Sequence, residues 1–249
     1  VDAVWFRFRS NAVTVYERMP SVARKLLIAG RGGLNLTHSE PFDEFMGRYG
    51  SDAKWLMPMI EAFPPAALIG WAEGLGQEIF AGSSGRMFPK AMKASPLLRA
   101  WLARLAGQGV TIRTRSEWRG WDESGALVFE TPEGTATVQP DATVLALGGA
   151  SWPKLGSNGA WVETLRTRGV VVSDLAAANM GIDIAWSDDF RARFAGEPLK
   201  NVMASCELGR GGWLTGALKV QGDAIVTSYG LEGGIIYVLS QIVRDKLAL

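Results

Sequence analysis

The feature that most constrains this chain is a glycine-rich segment that follows a short β-branched run near its start. The run is Val13-Thr14-Val15-Tyr16, closed by Glu17, and the segment is Arg24-Lys25-Leu26-Leu27-Ile28-Ala29-Gly30-Arg31-Gly32-Gly33-Leu34-Asn35-Leu36-Thr37. Its closely spaced glycines let the backbone pass near a ligand, because glycine has no Cβ and adopts positive φ without steric cost. An acidic residue at the end of a strand is the group that dinucleotide-binding folds place against ribose hydroxyls. The segment therefore predicts a nucleotide site, and an ordinary glycine-rich turn is the alternative.

The middle of the chain predicts a helix followed by short strands. Ser95-Pro96 is a typical helix start, with a capping hydroxyl followed by proline at the first helical position, and Gly107 and Gly109 predict the end of the helix. Its apolar face is predicted by residues that recur at helical spacing, Leu97, Leu98, Trp101, Leu102 and Leu105. The stretch before it, Phe80 to Lys93, predicts an irregular segment. The later turn residues divide the chain into strands that predict an antiparallel meander. These strands are Val110–Arg113, followed by the meander candidates Glu117–Trp121, Ala126–Glu130 and Thr135–Val138.

The run Ala142 to Leu147 is apolar throughout and ends in Gly148-Gly149. A continuous apolar run predicts a central parallel strand that is buried on both faces. Glycines at the carboxyl end of such a strand lie where open α/β sheets bind their ligands. From about Val172 the pattern changes to short β-like pieces separated by glycines, which predicts a second, mainly β unit with a final helix over Ile235–Leu247.

Composition excludes several classes of function. The net charge of +1 provides no electrostatic basis for binding nucleic acid or an anionic membrane. Cys206 is the only cysteine, so neither an internal disulfide nor a cysteine-based zinc site can form. No apolar run approaches the roughly 20 residues of a membrane helix, and no signal-peptide pattern is present. We expect a cytoplasmic protein with a small-molecule substrate, no metal site, and neither nucleic acid nor membrane as a partner.

Four segments, in the same order, resemble a known flavoprotein family. Besides the Arg24–Thr37 segment they are Gly85-Arg86-Met87-Phe88-Pro89-Lys90, Leu145-Ala146-Leu147-Gly148-Gly149-Ala150-Ser151-Trp152-Pro153 and Val226-Thr227-Ser228-Tyr229-Gly230-Leu231-Glu232-Gly233-Gly234. On these segments the chain is similar to the BaiN/YhiN-like family of predicted NAD(P)/FAD-dependent oxidoreductases, sometimes labelled aminoacetone-oxidase-like. The resemblance runs from about Val13 to Leu247.

The resemblance implies an α/β fold: an FAD/NAD(P)-binding Rossmann-like domain with a β-meander, plus a mainly β insertion domain. We expect the first over residues 1–172 and the second, which handles substrate, over residues 173–249. The resemblance also implies that the protein is an FAD-dependent oxidoreductase, which transfers hydride from NAD(P)H through the flavin to a small organic acceptor. Hydride transfer is the cofactor's own chemistry, and the protein contributes binding, orientation and electrostatics.

The resemblance also implies roles for individual residues. Glu17 would accept hydrogen bonds from the adenosine ribose. The expected cofactor-binding residues are Glu17, Arg24, Lys25, Gly30, Gly32, Gly33, Asn35, Thr37, Gly148 and Gly149. The expected substrate-facing residues are Ser83, Arg86, Lys90 and Tyr229. His38, the only histidine, is either an acid or base beside the loop or an ordinary hydrogen-bonding residue. No catalytic residue is identified.

Two departures from the family pattern bear on activity. Nothing before Val13 contains the glycine turn G-x-G-x-x-G, and the family's closing return to the dinucleotide domain is also missing. We therefore expect a chain truncated at both ends, and it stays open whether it is an enzyme. The alternative function is a non-catalytic nucleotide-binding remnant or a scaffold with an incomplete cofactor site. A missing strand leaves a sheet edge unpaired, which predicts self-association.

Overall fold

The computed structural model describes residues 12–207 and 217–247, which divide into two compact units at residues 172/173. The first unit combines helices with short strands. Its helices are α1 (Arg24–Ala29), α2 (Phe42–Gly47), α3 (Ala53–Ala62), α4 (Pro65–Glu73), α5 (Ala94–Gly107) and α6 (Trp161–Arg166). Its strands are β1 (Thr14–Glu17), β2 (Thr37–His38), β3 (Ile79–Ala81), β4 (Arg86–Pro89), β5 (Thr111–Thr114), β6 (Glu117–Trp121), β7 (Leu127–Thr131) and β8 (Gly134–Val138).

A parallel strand pair organises the first unit. β1 pairs with β5, with Thr14 opposite Thr111 and Glu17 opposite Thr114. The chain between them contains α1 to α5, the kind of long helical crossover that parallel strands require. Among the described residues, β1 has a strand partner on this one edge. Glu17 therefore stands at the carboxyl end of a parallel strand.

The hydrophobic core of the first unit lies between its helices. Leu34, Ala72, Leu75, Ala94 and Leu97 form one buried cluster. Trp71 and Trp101 pack against this cluster and meet each other edge to face. Leu97 is 1% exposed, so α5 is anchored by the apolar face that its helical spacing predicts.

The start of α5 differs from the prediction. The helix begins at Ala94 with Lys93 in the capping position, so Ser95 lies in the first turn and is not the cap. Pro96 also falls within the first turn, where the backbone N–H groups have no intrahelical partner and a proline is tolerated.

The Phe80 to Lys93 stretch is predicted to be irregular, but it contains most of β3 and all of β4. β3 and β4 form an antiparallel hairpin, and β2 adds to its other edge in the order β2-β4-β3. Because these strands are only two to four residues long, no alternating pattern is long enough to reveal them in the sequence.

The antiparallel meander is confirmed. β6, β7 and β8 pair in that order. Asp122 closes the first turn by accepting hydrogen bonds from the backbone N–H groups of Ser124 and Ala126, at 2.9 and 3.0 Å. Phe129 of the meander stacks on Tyr16 of β1 with ring centroids 4.0 Å apart. The meander is thereby fixed next to the end of β1.

The prediction of a buried parallel strand over Ala142–Leu147 is wrong. These residues have no strand assignment, and Val144 is 90% exposed. A strand of this kind needs neighbours on both edges to satisfy its backbone groups, and no described strand pairs with this segment. Its apolar composition alone does not bury it.

The second unit is mainly β. Its strands are β9 (Ile182–Asp183), β10 (Pro198–Glu207), β11 (Ala217–Val226) and β12 (Gly230–Glu232), and its helices are α7 (Asp188–Phe194) and α8 (Gly234–Leu247). The sheet order is β10-β11-β12-β9, all antiparallel. Ile235 and Ile236 of α8 pack on Ala224 of the sheet. One of the short β-like pieces that the sequence predicts after Val172 is Trp213–Val220, and its first residue, Trp213, lies outside the described residues. The α/β class with a meander and a mainly β second unit is thus confirmed.

Candidate functional site

A cavity of about 400 Å³ opens in the first unit at the carboxyl end of β1. Its lining comes from the end of β1, the start of α1, the start of β6 and the segment from Ala146 to Trp161. The volume is near the lower end of the roughly 300–1,000 Å³ that small-molecule pockets span. The position, outside the carboxyl end of a parallel strand, is the one where α/β sheets bind ligands.

Glu17 is held in place at the rim of this cavity. Its Oε1 accepts a hydrogen bond from the backbone N–H of Met19 at 2.8 Å. The backbone carbonyl of Glu17 accepts from Ser116 N–H at 3.0 Å, which ties the strand end to the residue before β6. Among the described residues, Oε2 has no hydrogen-bond partner. Glu17 therefore presents one anchored and one available carboxylate oxygen, which suits recognition of a hydroxyl pair.

Arg24 and Lys25 bring positive charge to the same cavity. Arg24 donates to Ser21 Oγ at 3.3 Å, and Lys25 Nζ donates to Ser151 Oγ at 2.7 Å. Neither forms an ion pair with a carboxylate in the described part of the chain, whereas Arg18 and Arg119 of the lining both pair with Glu117. The cavity therefore has an excess of positive charge, and an anion is the ligand that this charge favours.

Gly148 forms another wall, whereas Gly149 lies outside the lining, and the turn that they share is fixed by two side chains from downstream. Trp161 Nε1 donates to the Gly148 carbonyl at 3.0 Å, and Ser157 Oγ donates to the Gly149 carbonyl at 2.9 Å. Gly148 has φ +71°, and a Cβ there would lie 3.3 Å from Ser157 Oγ. A Cβ on Gly149 would meet nothing within 4 Å. Gly148 is therefore required by the turn itself, while the space beside Gly149 is open.

Two buried nitrogen atoms of the cavity lining have no hydrogen-bond partner. They are Nε of Arg24 and Nε1 of Trp118, and both side chains line the cavity. A buried donor without an acceptor costs about 1–3 kcal/mol. A ligand with acceptor oxygens would recover that cost, so the lining fits a polar, anionic group such as the diphosphate and ribose of a dinucleotide.

The glycines of the Arg24–Thr37 segment are placed differently from Gly148. The first part of the segment is helix α1, and Gly30 to Gly32 form a single 3₁₀ turn after it. A Cβ on Gly30 would lie 2.5 Å from Ala94 Cβ, and one on Gly33, at φ +110°, would lie 2.7 Å from Met92 Cε. Packing against Ala94 at the start of α5 is thus sufficient to explain Gly30, and the positive φ is sufficient to explain Gly33. Gly32 has nothing within 4 Å, so a ligand could approach the backbone there.

Asn35 and Thr37 lie outside the lining of the cavity. Asn35 is exposed, and Thr37 is 8% exposed in β2, paired with Met87 of β4. No side-chain hydrogen bond from either residue is present among the described residues, so their expected role in fixing the loop stays a prediction.

The expected substrate-facing residues of the first unit lie on the β3–β4 hairpin. Ser83, Arg86 and Lys90 are all exposed. Lys90 pairs with Glu78 at 2.5 Å, whereas the guanidinium of Arg86 has no ion-pair partner among the described residues. None of the three lines the cavity.

His38 lies beside this hairpin with both ring nitrogens in hydrogen bonds. Nε2 is 2.9 Å from the Ser84 carbonyl, and Nδ1 accepts from the backbone N–H of Glu40 at 3.2 Å. The Glu40 carboxylate also lies near the ring, with its Oε1 3.6 Å from Nδ1. Glu40 is bound in turn by Arg48, whose hydrogen bond holds the pKa of that carboxyl below its ordinary value. The geometry favours a hydrogen-bonding role for His38.

Tyr229 belongs to the second unit and is 48% exposed. Its hydroxyl donates to the Glu232 carboxylate, and this bond together with burial raises the pKa of Tyr229. The residue thus stays protonated in an ordinary pH range. Its expected contact with substrate stays a prediction.

Sequence reasoning missed three residues of the cavity in these roles: Trp118, Ser157 and Trp161. In the sequence, Trp118 has the pattern of a strand residue, and Ser157 and Trp161 have the pattern of a helix start. No local signal therefore connects these residues with Glu17. They meet only because the meander is fixed next to β1 and the Gly148 turn folds back on itself.

The described residues contain no group of His, Cys, Asp or Glu side chains arranged to hold a metal ion. Within the same residues, no helix combines the length and apolar character needed to cross a membrane. In a comparison with protein families, the model described as "HI0933-like protein Rossmann domain" matches residues 2–236.

Proposed function

Since the chain belongs to the HI0933-like Rossmann family, we propose that it is an FAD-dependent oxidoreductase whose cavity at the end of β1 holds the nucleotide part of the cofactor. The observation that carries this proposal is the convergence of Glu17, Arg24, Lys25 and Gly148 on one cavity. These four residues come from three separate parts of the sequence. The first unit is then the FAD-binding domain, and the second is the substrate or insertion domain.

Each residue has a role that follows from its position. Glu17 offers its available oxygen to ribose hydroxyls, with the other oxygen locked on the Met19 N–H. Arg24 and Lys25 neutralise the diphosphate, and they are free to do so because their present partners are neutral serine hydroxyls. Gly148 lines the cavity, and its turn is held in place because Trp161 and Ser157 bind the carbonyls of Gly148 and Gly149.

Hydride transfer from NAD(P)H to a small organic acceptor is the chemistry that bound flavin supplies. The chain's own residues bind and orient the cofactor and balance its charge. On the β3–β4 hairpin, Arg86 is an exposed guanidinium without a carboxylate partner among the described residues, which suits an anionic group of a substrate.

A second candidate function is nucleotide binding without turnover. It is favoured by the exposed Ala142–Leu147 segment, which no described strand pairs with and which leads directly into the Gly148 turn. A wall that is not held by a sheet orders less firmly around a ligand, so this reading predicts binding that is too weak or too loose for hydride transfer.

The test is reconstitution with FAD. We expect protein that has been incubated with FAD and passed through a desalting column to retain the visible absorption of oxidised flavin. Anaerobic addition of NADH or NADPH should then bleach that absorption. Retained flavin that neither nucleotide reduces would support the second function, and protein that retains no flavin and shows no FAD affinity by titration would contradict both.

A further inference from the structure

Two side chains that line the cavity at the end of β1 each have a buried N–H group without a hydrogen-bond partner. Nε1 of Trp118 and Nε of Arg24 are the buried side-chain nitrogens that lack a hydrogen-bond partner in the described ranges 12–207 and 217–247. Buried polar groups in folded proteins are nearly always paired, and each exception calls for a cause. Both side chains line the cavity at the end of β1, and they come from residues 94 positions apart.

The surroundings of Trp118 contain nothing else for its N–H to bind. Its ring packs edge to face on Trp121 with centroids 4.9 Å apart. On either side along the strand, Glu117 and Arg119 are occupied in ion pairs, with Arg119 bound to both Glu117 and Glu130. The charged groups that remain available at the cavity are the cations of Arg24 and Lys25 and the second carboxylate oxygen of Glu17.

We propose that Trp118 is a nucleotide-binding residue of this cavity, with its indole N–H and the Nε–H of Arg24 donating to the same ligand. The inference rests on the proposed nucleotide function of the cavity and adds a residue that neither the family resemblance nor the sequence pattern assigns. The ligand class is a nucleoside diphosphate, because the indole N–H of Trp118 beside the cations of Arg24 and Lys25 matches phosphate oxygens, while the Glu17 carboxylate matches ribose hydroxyls. Both nitrogens are covered in the free protein, so both side chains turn toward the ligand as it enters.

A purely structural role and a ligand-binding role for Trp118 predict different effects of substitution on nucleotide affinity. Trp118→Phe keeps an aromatic ring on Trp121 and deletes the unpaired donor. If the N–H has no function, this variant binds nucleotide as the wild type does. If the N–H serves the ligand, the variant is as stable as the wild type or more stable, because an unpaired buried group is gone, and it binds nucleotide more weakly. Equal or higher stability combined with weaker binding is the signature of a binding residue.

The experiment uses the full chain with ADP as the probe and FAD as a second ligand. Wild type, Trp118→Phe, Trp121→Phe and Arg24→Lys are titrated with each ligand by calorimetry, and their unfolding midpoints are measured. Trp121→Phe is the matched control, since Trp121 touches Trp118 but does not line the cavity. Arg24→Lys keeps the charge and removes the Nε–H donor. We expect about tenfold weaker ADP and FAD binding for Trp118→Phe and for Arg24→Lys, the factor of one hydrogen bond, and unchanged binding for Trp121→Phe.

A spectroscopic readout reports the contact directly. In a ¹H–¹⁵N spectrum the indole resonance missing from Trp118→Phe identifies the Trp118 N–H, and ADP should move that resonance downfield as the hydrogen bond forms. This inference is wrong, and the proposed function stands, if two results are found together. Trp118→Phe binds FAD with the same affinity as the wild type, and ADP leaves the indole resonance of the wild type in place. If neither ADP nor FAD binds to the wild type, the proposed function fails first.

Discussion

Alanine substitution at Gly30 separates packing from ligand binding in the glycine-rich segment. A Cβ at this position would lie 2.5 Å from Ala94 Cβ and 2.8 Å from Ala94 N. Carbon atoms in contact prefer separations of about 3.5–4.0 Å, so the start of α5 must move by about an ångström. Overpacking of a core in this way destabilises the folded state by about 1–3 kcal/mol. Alanine loses less backbone entropy than glycine on folding, and this difference stabilises the folded state by about 0.5–1 kcal/mol. The expected net loss for Gly30→Ala is about 1–2 kcal/mol.

The matched control is Gly70→Ala in the middle of α4. A Cβ on Gly70 meets nothing within 4 Å, and alanine is favoured over glycine in a helix interior by about 0.8–1 kcal/mol. The two variants should therefore move the stability of the protein in opposite directions. Since 1 kcal/mol shifts the Tm of a domain this size by about 2–4 °C, thermal unfolding followed by circular dichroism resolves both.

Gly32→Ala completes the series, because its Cβ also meets nothing within 4 Å. Its stability should stay within about 0.5 kcal/mol of the wild type, as for most exposed substitutions. If Gly30→Ala unfolds at the same temperature as the wild type, the packing explanation of Gly30 is refuted. A stable Gly30→Ala that has lost FAD would instead assign that glycine to the cofactor.

Three further predictions concern other parts of the chain. Gly32→Val should weaken FAD binding while leaving the fold intact, and fluorescence titration with FAD, with Gly70→Val as the open-space comparison, measures this. Because Arg48 lowers the pKa of Glu40 from 4.5, the ion pair stabilises the folded state above that pH and loses its effect as the pH falls through the lowered value. The difference in unfolding free energy between wild type and Glu40→Gln should therefore shrink on acidification, as urea titrations at several pH values would reveal; a constant difference contradicts it. Exposed Val15 and Val144 should promote self-association, so light scattering should give a mass that rises with concentration in the wild type and less in Val144→Lys.

The sequence was most informative where the signal is local. The Ser124-Gly125 and Pro132–Gly134 turns predict the β-meander, and the structure has three paired strands there. Leu97 and its helical neighbours predict the buried face of α5. In both cases the residues that decide the element lie within it, so no knowledge of the rest of the fold is needed.

Prediction failed where burial depends on distant neighbours. The Ala142–Leu147 run has the composition of a buried strand, but composition does not supply the strands that must pair with it, and Val144 is 90% exposed. Dependence on distant neighbours also explains why only some residues of the cavity at the end of β1 could be predicted. Glu17 and Gly148 carry local signatures and do meet at one cavity. The unpaired N–H of Trp118 depends on where the meander docks, and that is a property of the fold.

The measurement that tests the central claim most directly is a crystal structure of the protein with FAD. We predict ribose density within hydrogen-bond distance of the Glu17 carboxylate, and diphosphate density beside Arg24 and Lys25, with the Gly148 turn against the ligand. Ordered FAD bound elsewhere on the chain, with the cavity at the end of β1 left to solvent, would contradict the assignment of this cavity as the cofactor site.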